Sequence, residues 1–253
     1  MDRLIIRARN TAPDSENRIH DDRTAALYGF RAGLVPGVTV YGYLTRPVIG
    51  RFGEDWLARG GMRARFLQPV YDGEEVVVTL SENQAAASRT DGTVCATGEI
   101  FWPESAPPSL ALYPEAPLPA ARPAASAGSL APGRMLGALY AELPVADEEA
   151  LLTLSNHLLM QNVQLGPWIH IASEISHFSL ARNGDRLSVR GRVAQRFERK
   201  GHRFVVLDVV VAAGAERIIQ HVRHTAIYEL RAGTSAGAQT KEPRPRSQRE
   251  TSP

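Results

Sequence analysis

Residues 103–133, PESAPPSLALYPEAPLPAARPAASAGSLAPG, restrict the fold more than any other stretch of the chain. Proline fixes φ and lacks a backbone donor, so neither a helix nor a central strand persists through a segment this dense in Pro, Ala and Ser. The segment reads as a linker laid across a surface. It divides the chain into a first half, 1–102, and a second half, 134–231, and the two halves follow the same plan. The first opens on a loop and a short helical candidate, IHDDRTAALYGF. Next comes the apolar stretch VPGVTVYGYLTRPVIGRFG, whose register of Val38, Tyr41, Leu44 or Thr45, Val48 and Phe52 predicts a buried helix in spite of Pro47. The alternating runs MRARFLQPV, EEVVVTLSE and TVCATGEIFW follow as strands. In the second half EEALLTLSNHLLMQNV is apolar at helical spacing. The strands HIASEISHFSLA, DRLSVRGRVAQRFER, HRFVVLDVVVAAG and ERIIQHVRHTAIYEL come after it, joined by turns at NGD, KGH and AGAE. The predicted architecture is α+β: two long helices, each wrapped by an antiparallel sheet, with the two sheets joined edge to edge.

Composition narrows the function. A chain of 253 residues with 43% hydrophobic and 22% charged side chains is that of a water-soluble globular protein, and its interrupted apolar runs are too short to span a bilayer. The start, MDRLIIRARN, lacks a signal-peptide core, so the chain is expected in the cytoplasm. The single cysteine, Cys95, sits in an alternating apolar run and reads as a buried structural thiol. The net charge is only +2, and part of the positive charge lies in the basic, Pro-rich residues 232–253, which read as a disordered tail. No nucleic-acid module is visible. His157, His177, His202, His221 and His224 form no ligand-spaced cluster, so no metal is expected; His221 and His224, three apart in a strand, point to opposite faces. YGFRAG lacks the strand–glycine–helix setting of a dinucleotide site.

The chemistry-bearing stretch is PDSENRIHDD, residues 13–22, where one histidine stands among acids just before YGFRAGLVPG. Three pieces resemble the MaoC-like dehydratase family. NRIHDD at 17–22 is similar to that family's Asn-Pro-x-His-x-Asp loop. YGFRAGLVPGVTVYGYL at 28–44 is similar to the opening of its central helix, and RFLQPVYDGEEV at 65–76 to its strand and turn. The resemblance covers roughly residues 5–102, and the second half joins by pattern alone. It implies a double hotdog fold, pairing of two chains, and addition or removal of water across the double bond of an acyl thioester. Coenzyme A or an acyl carrier protein would then form part of the substrate, with no resident cofactor. By the same resemblance His20 is the catalytic histidine, Asn17 the loop asparagine and Asp22 the acid after it. Gly37 is the helix-start glycine, whose N–H, or that of Val38, faces the thioester oxygen.

The match has gaps. Where the family carries its catalytic aspartate this chain has Ser15, Arg18 replaces a proline, and Pro36 replaces a histidine. Asp14 and Glu16 flank Ser15 and are candidates to assist His20. Tyr41 on the first helix, and Asn156 with Gln161 or Asn162 on the second, are candidates to line the pocket. Arg31, Arg46 and Arg63 are candidates to meet phosphates. Three functions stay open on these residues: an enoyl-thioester hydratase or 3-hydroxyacyl-thioester dehydratase, a thioesterase or other acid–base enzyme in the same pocket, and an acyl-binding protein without turnover.

Overall fold

The computed structural model describes residues 2–214 and 216–231. The basic tail at 232–253 lies outside the described residues. The first half contains β1 (Asp2–Arg7), α1 (Asp22–Leu27), α2 (Gly37–Arg59), β2 (Gly61–Phe66), β3 (Glu75–Ser81), β4 (Gln84–Arg89) and β5 (Val94–Phe101). The second contains β6 (Met135–Glu142), α3 (Glu148–Asn162), β7 (Ile169–His177), β8 (Arg186–Arg199), β9 (His202–Ala213) and β10 (Arg217–Glu229). The strands form one ten-stranded antiparallel sheet in the order β1-β3-β4-β5-β2-β7-β10-β9-β8-β6. The halves meet at β2 and β7, with Gly61 opposite Ser176 and Arg65 opposite Ala172. α2 and α3 pack against each other and against the sheet.

Each half begins with a strand where the sequence suggested a loop or the helix itself. β6, MLGALYAE, is built from Met, Leu and Ala, which favour helix as readily as strand, and β1 is short and charged. β4, QAAASR, carries no β-branched residue; it pairs on both sides with β3 and β5, and tertiary context supplies what propensity does not. α2 runs past its expected end to Arg59 across a break at Gly53, whose φ of 59° suits glycine. Residues 103–133 make a single 3₁₀ turn at Leu110–Leu112 and short bridges to β6 and to Gln164. Tyr113 within this segment is buried against Val210, Ala212 and Ile218.

One core cluster runs through both halves and includes Val40, Leu44, Val48 and Trp56 of α2 with Leu151, Leu154 and Leu158 of α3. From Gly37 to Val48 α2 is buried on nearly all sides, with Arg46 the exposed exception, because sheet covers one flank and α3 the other; beyond Ile49 it is largely exposed apart from Trp56. Among these apolar groups sits a carboxyl. Glu148 is 4% exposed. It accepts from Tyr41 Oη at 3.1 Å and from Gln220 Nε2 at 3.2 Å, and His177 Nε2 lies 3.4 Å away. Burial pushes the Glu148 carboxyl up to about 8 and the His177 imidazole down to about 3, so both are neutral near neutrality. Because the folded value for Glu148 lies above its ordinary 4.5, the folded chain holds a proton that the unfolded chain has released. The stability from this group is full below its ordinary value and is lost as pH rises through the folded one. Glu148→Gln is therefore expected to melt above wild type at about pH 9, with the advantage gone or reversed at about pH 5. Parallel melting curves for the two proteins at both pH values would contradict this.

Candidate active site

A cavity of about 220 Å³ lies at the seam between the halves. It exceeds the roughly 150 Å³ that accepts a benzene molecule. Its walls come from Pro36, Gly37 and Val40 at the start of α2, residues 66–70 after β2, residues 168–171 at the start of β7, Ile227 of β10 and Asn156 of α3. Asn17, Ile19, His20, Phe30 and Leu34 close the remaining side. The lining is mostly apolar. Its polar side chains are Asn17, His20, Gln68, Asn156 and His170, and among the described residues no carboxylate or ammonium lines it.

The local sequence holds His20 in one tautomer. Nδ1 lies 2.7 Å from the Leu34 carbonyl, which can only accept, so Nδ1 carries the proton and Nε2 keeps its lone pair. Asn17 Nδ2 approaches that lone pair at 3.3 Å. The same amide pairs with the backbone of Trp168, donating to its carbonyl at 3.0 Å and accepting from its N–H at 3.1 Å. Asn17 thus ties the histidine loop of the first half to the first residues of the second. Burial lowers the His20 pKa below its ordinary 6.5, against the opposing pull of the Leu34 bond, so the ring is a neutral acceptor at neutral pH.

Leu34 is itself positioned. Its N–H bonds the Ile19 carbonyl at 3.2 Å, and the neighbouring Gly33 N–H donates to Asp22 Oδ1 at 2.8 Å. Asp22 therefore fixes the segment that fixes His20, and does not itself line the cavity. Beside His20, α2 begins with Pro36 at its N-cap, which provides no side-chain acceptor. The first N–H groups of the helix, at Gly37 and Val38, have no acceptor within the helix, and the positive end of the helix dipole lies with them; Gly37 lines the cavity, whereas the buried Val38 does not.

The other expected residues divide. Asn156 lines the cavity, and its Oδ1 is buried without a partner. Asp14 and Glu16 are exposed and do not meet His20. Ser15 Oγ donates to the Asn17 carbonyl at 3.1 Å, in a turn that leaves both acids outside, and Glu16 pairs with Arg122 at 2.8 Å. A mechanism in which either acid assists His20 does not stand. Tyr41 is directed to Glu148, away from the cavity. Asn162 caps the other side of α3, accepting from Gly137 N at 2.6 Å and donating to its carbonyl at 3.0 Å. Arg31 and Arg63 are paired with Glu74 and Glu174.

His170, which with Trp168 follows the polar set of α3 in the sequence, belongs to the cavity. Opposite β10 the register slips between Thr225 and Ala226, which pair with Ala172 and His170, so Ile171 is extra and His170 turns inward. Nothing in a single sequence marks that bulge.

No family model matches the sequence, and no curated protein is a significant sequence relative. Solved structures do match. A conserved hypothetical protein of Mycobacterium tuberculosis, described as having a double hotdog fold, is similar with a TM-score of 0.58 at 14% identity, over 88% of this chain and 93% of that one. The fold is a double hotdog. An isomerase-inactive variant of GphF DH1 matches at a TM-score of 0.53 and 13% identity, over 92% of each chain. The acyl-CoA thioesterase II TesB2 of Mycobacterium marinum matches at 0.53 and 13%, over 77% of this chain and 89% of that one. Within the double hotdog the cavity described above lies between the two units, at the start of the first central helix. Among the described residues no helix is long and apolar enough to cross a membrane.

Proposed function

We propose that this double hotdog acts on acyl thioesters, carried on coenzyme A or an acyl carrier protein, and removes or adds water between C2 and C3. The observation that carries the reading is the unprotonated Nε2 of His20, met only by the Asn17 amide at 3.3 Å and held in a mostly apolar cavity that the uncapped start of α2 also lines. In the dehydration direction Nε2 takes the C2 proton of a 3-hydroxyacyl thioester. The electron pair moves onto the thioester oxygen, which accepts from the N–H group of Gly37. The C3–O bond then breaks as the C2–C3 double bond forms, and His20 returns its proton to the leaving hydroxyl as water. One base suffices, and the proton count closes without a cofactor. Asn17 speeds the return: once Nε2 is protonated it faces the Asn17 amide donor, and burial also disfavours the imidazolium.

The test is mass spectrometry of 3-hydroxyacyl-CoA incubated with the protein. The expected product is the enoyl thioester, one water lighter. Free coenzyme A without enoyl product would move the protein to the thioesterases, and unchanged thioesters of every chain length would leave an acyl-binding protein.

Gly37 carries a second expectation. A Cβ there would sit 2.9 Å from His170 Nδ1 and 3.3 Å from its Cβ, inside the cavity. Gly37→Ala is expected to raise KM by about tenfold or more and to cost about 1–3 kcal/mol of stability, because the added methyl both narrows the site and overpacks against the buried His170 ring. An unchanged KM would show that the thioester does not pass this point.

A further inference from the structure

One end of the molecule is basic although the body of the chain is not. The tail at 232–253 holds four of the 29 Lys and Arg residues and two of the 27 Asp and Glu residues, which leaves 25 of each and no net charge in residues 1–231. Within that neutral body the tip of the β8–β9 ribbon, RFERKGHRF, gathers Arg196, Arg199, Lys200 and Arg203, and Arg231 joins them just past the end of β10. The acids at this end are Glu198 and Glu229, and both lie beside Arg203, at 3.8 and 2.7 Å. Arg199, Lys200 and Arg231 are exposed, and among the described residues neither they nor Arg196 meet a carboxylate. Beyond Arg231 the sequence adds Lys241, Arg244, Arg246 and Arg249 against Glu242 and Glu250.

The ribbon presents these cations on a stiff element beside the cavity. β6 stops pairing with β8 at Arg192, and residues 195–199 pair only with β9. Phe197 and Phe204 face each other across the ribbon with their rings stacked 4.7 Å apart. Lys200 and Gly201 make its turn, both with positive φ. A two-residue turn of this kind favours Asn-Gly, so a lysine there gives up conformational ease and adds a charge. Across the strands Ile169, Ile227, Phe204 and Phe197 fall in one row. Ile169 and Ile227 line the cavity, and two strand spacings put Phe197 about 10 Å from that wall. Leu230 packs against the cluster that contains Ile19 and Leu34, the neighbours of His20, so Arg231 leaves the sheet next to the site.

We propose that this basic pole docks the acidic face of an acyl carrier protein, which presents its thioester to the cavity. The proposal rests on the acyl-thioester reading of the cavity and names the partner that brings the substrate. Charge decides the sign of that partner. The layout decides its kind. Side chains along a ribbon alternate between its two faces, so these cations spread over a surface and do not converge on one phosphate, as a coenzyme A subsite would require. Among the described residues the ribbon tip carries no large exposed apolar side chain, which an element lying in a membrane interface would need.

Binding and turnover test this separately. A purified acyl carrier protein without an acyl group is titrated calorimetrically into the full chain and into its Arg199→Glu/Arg231→Glu variant. Wild type is expected to bind, more weakly as salt is raised. Charge reversal is expected to weaken binding about tenfold or more with the melting temperature held, since both side chains are exposed. With 3-hydroxyacyl thioesters of one chain length, the ratio of kcat/KM on the carrier protein to kcat/KM on coenzyme A should fall by a similar factor in the variant. Lys200→Asn, which suits the turn and removes one charge, should fall between the two proteins. No binding of the carrier protein, binding untouched by these variants, or tighter binding of anionic vesicles or RNA would overturn the proposal. Carrier binding as expected with neither thioester turned over would instead overturn the acyl-thioester reading, while the docking surface stands.

Discussion

His20→Ala is expected to lower turnover of a 3-hydroxyacyl thioester by about 10²- to 10⁴-fold, the usual contribution of a positioned proton-transfer group. The fold should survive. The ring's hydrogen bonds are to Leu34 and Asn17, and Asn17 keeps its pairing with Trp168 when the ring is gone. Melting temperatures close to wild type would therefore accompany the lost activity. The pH profile gives an independent check. Burial lowers the His20 pKa, and the reaction needs the lone pair. kcat/KM should thus fall only as pH drops through a value below the ordinary histidine range, and lie flat through neutrality. A profile that bends at or above the ordinary value would place another group in charge of the proton.

Gly33→Ala is expected to be almost as damaging, although Gly33 does not line the cavity. A Cβ at position 33 would lie 2.0 Å from the His20 carbonyl oxygen and 2.6 Å from its carbon. Both atoms are backbone, so no side chain can swing aside. The segment must back away, and three bonds go with it: Gly33 to Asp22, Leu34 to Ile19, and His20 Nδ1 to the Leu34 carbonyl. Without the Leu34 carbonyl the tautomer is no longer fixed and Nε2 is no longer aimed. The stability cost should be about 1–3 kcal/mol, that of overpacking a close contact, with activity falling on the scale of His20→Ala. Asp22→Asn tests the same linkage more gently. It keeps an oxygen for the Gly33 N–H and is expected to retain most of the activity. An active, normally stable Gly33→Ala protein would mean that the loop does not position the histidine.

The parts legible in the sequence were those with a period or a spacing. Both central helices and the long strands β7 to β10 announce themselves by apolar repeats; Asn17, His20 and Gly37 were singled out by resemblance to the MaoC-like loop and helix start, and the structure places all three at one cavity. The parts that were not legible depended on neighbours. β4 and β6 are strands because partners pair with them, not because alanine and leucine prefer it. Asp14 and Glu16 look catalytic on paper because they flank Ser15, yet the turn that Ser15 makes with Asn17 leaves them outside. Asn156 and Asn162 sit six residues apart on one helix, hence about 120° apart around it, so only Asn156 faces the cavity. Tyr41 was correctly in the helix and wrongly in the pocket: a buried carboxyl 107 positions away holds its hydroxyl. His170 needed a bulge to turn inward.

The most direct test of the central claim separates proton abstraction from everything that follows it. The protein is incubated in deuterated water with a saturated acyl-CoA and, separately, a 3-hydroxyacyl-CoA, and the intact thioesters are weighed. The saturated chain cannot lose water, so deuterium at C2 reports His20 alone. The expected result is C2 deuterium in the saturated thioester, enoyl product from the hydroxylated one, and neither with His20→Ala. Thioesters that remain unlabelled and intact, or labelled equally by wild type and His20→Ala, would contradict the assignment of His20 as the base of an acyl-thioester site.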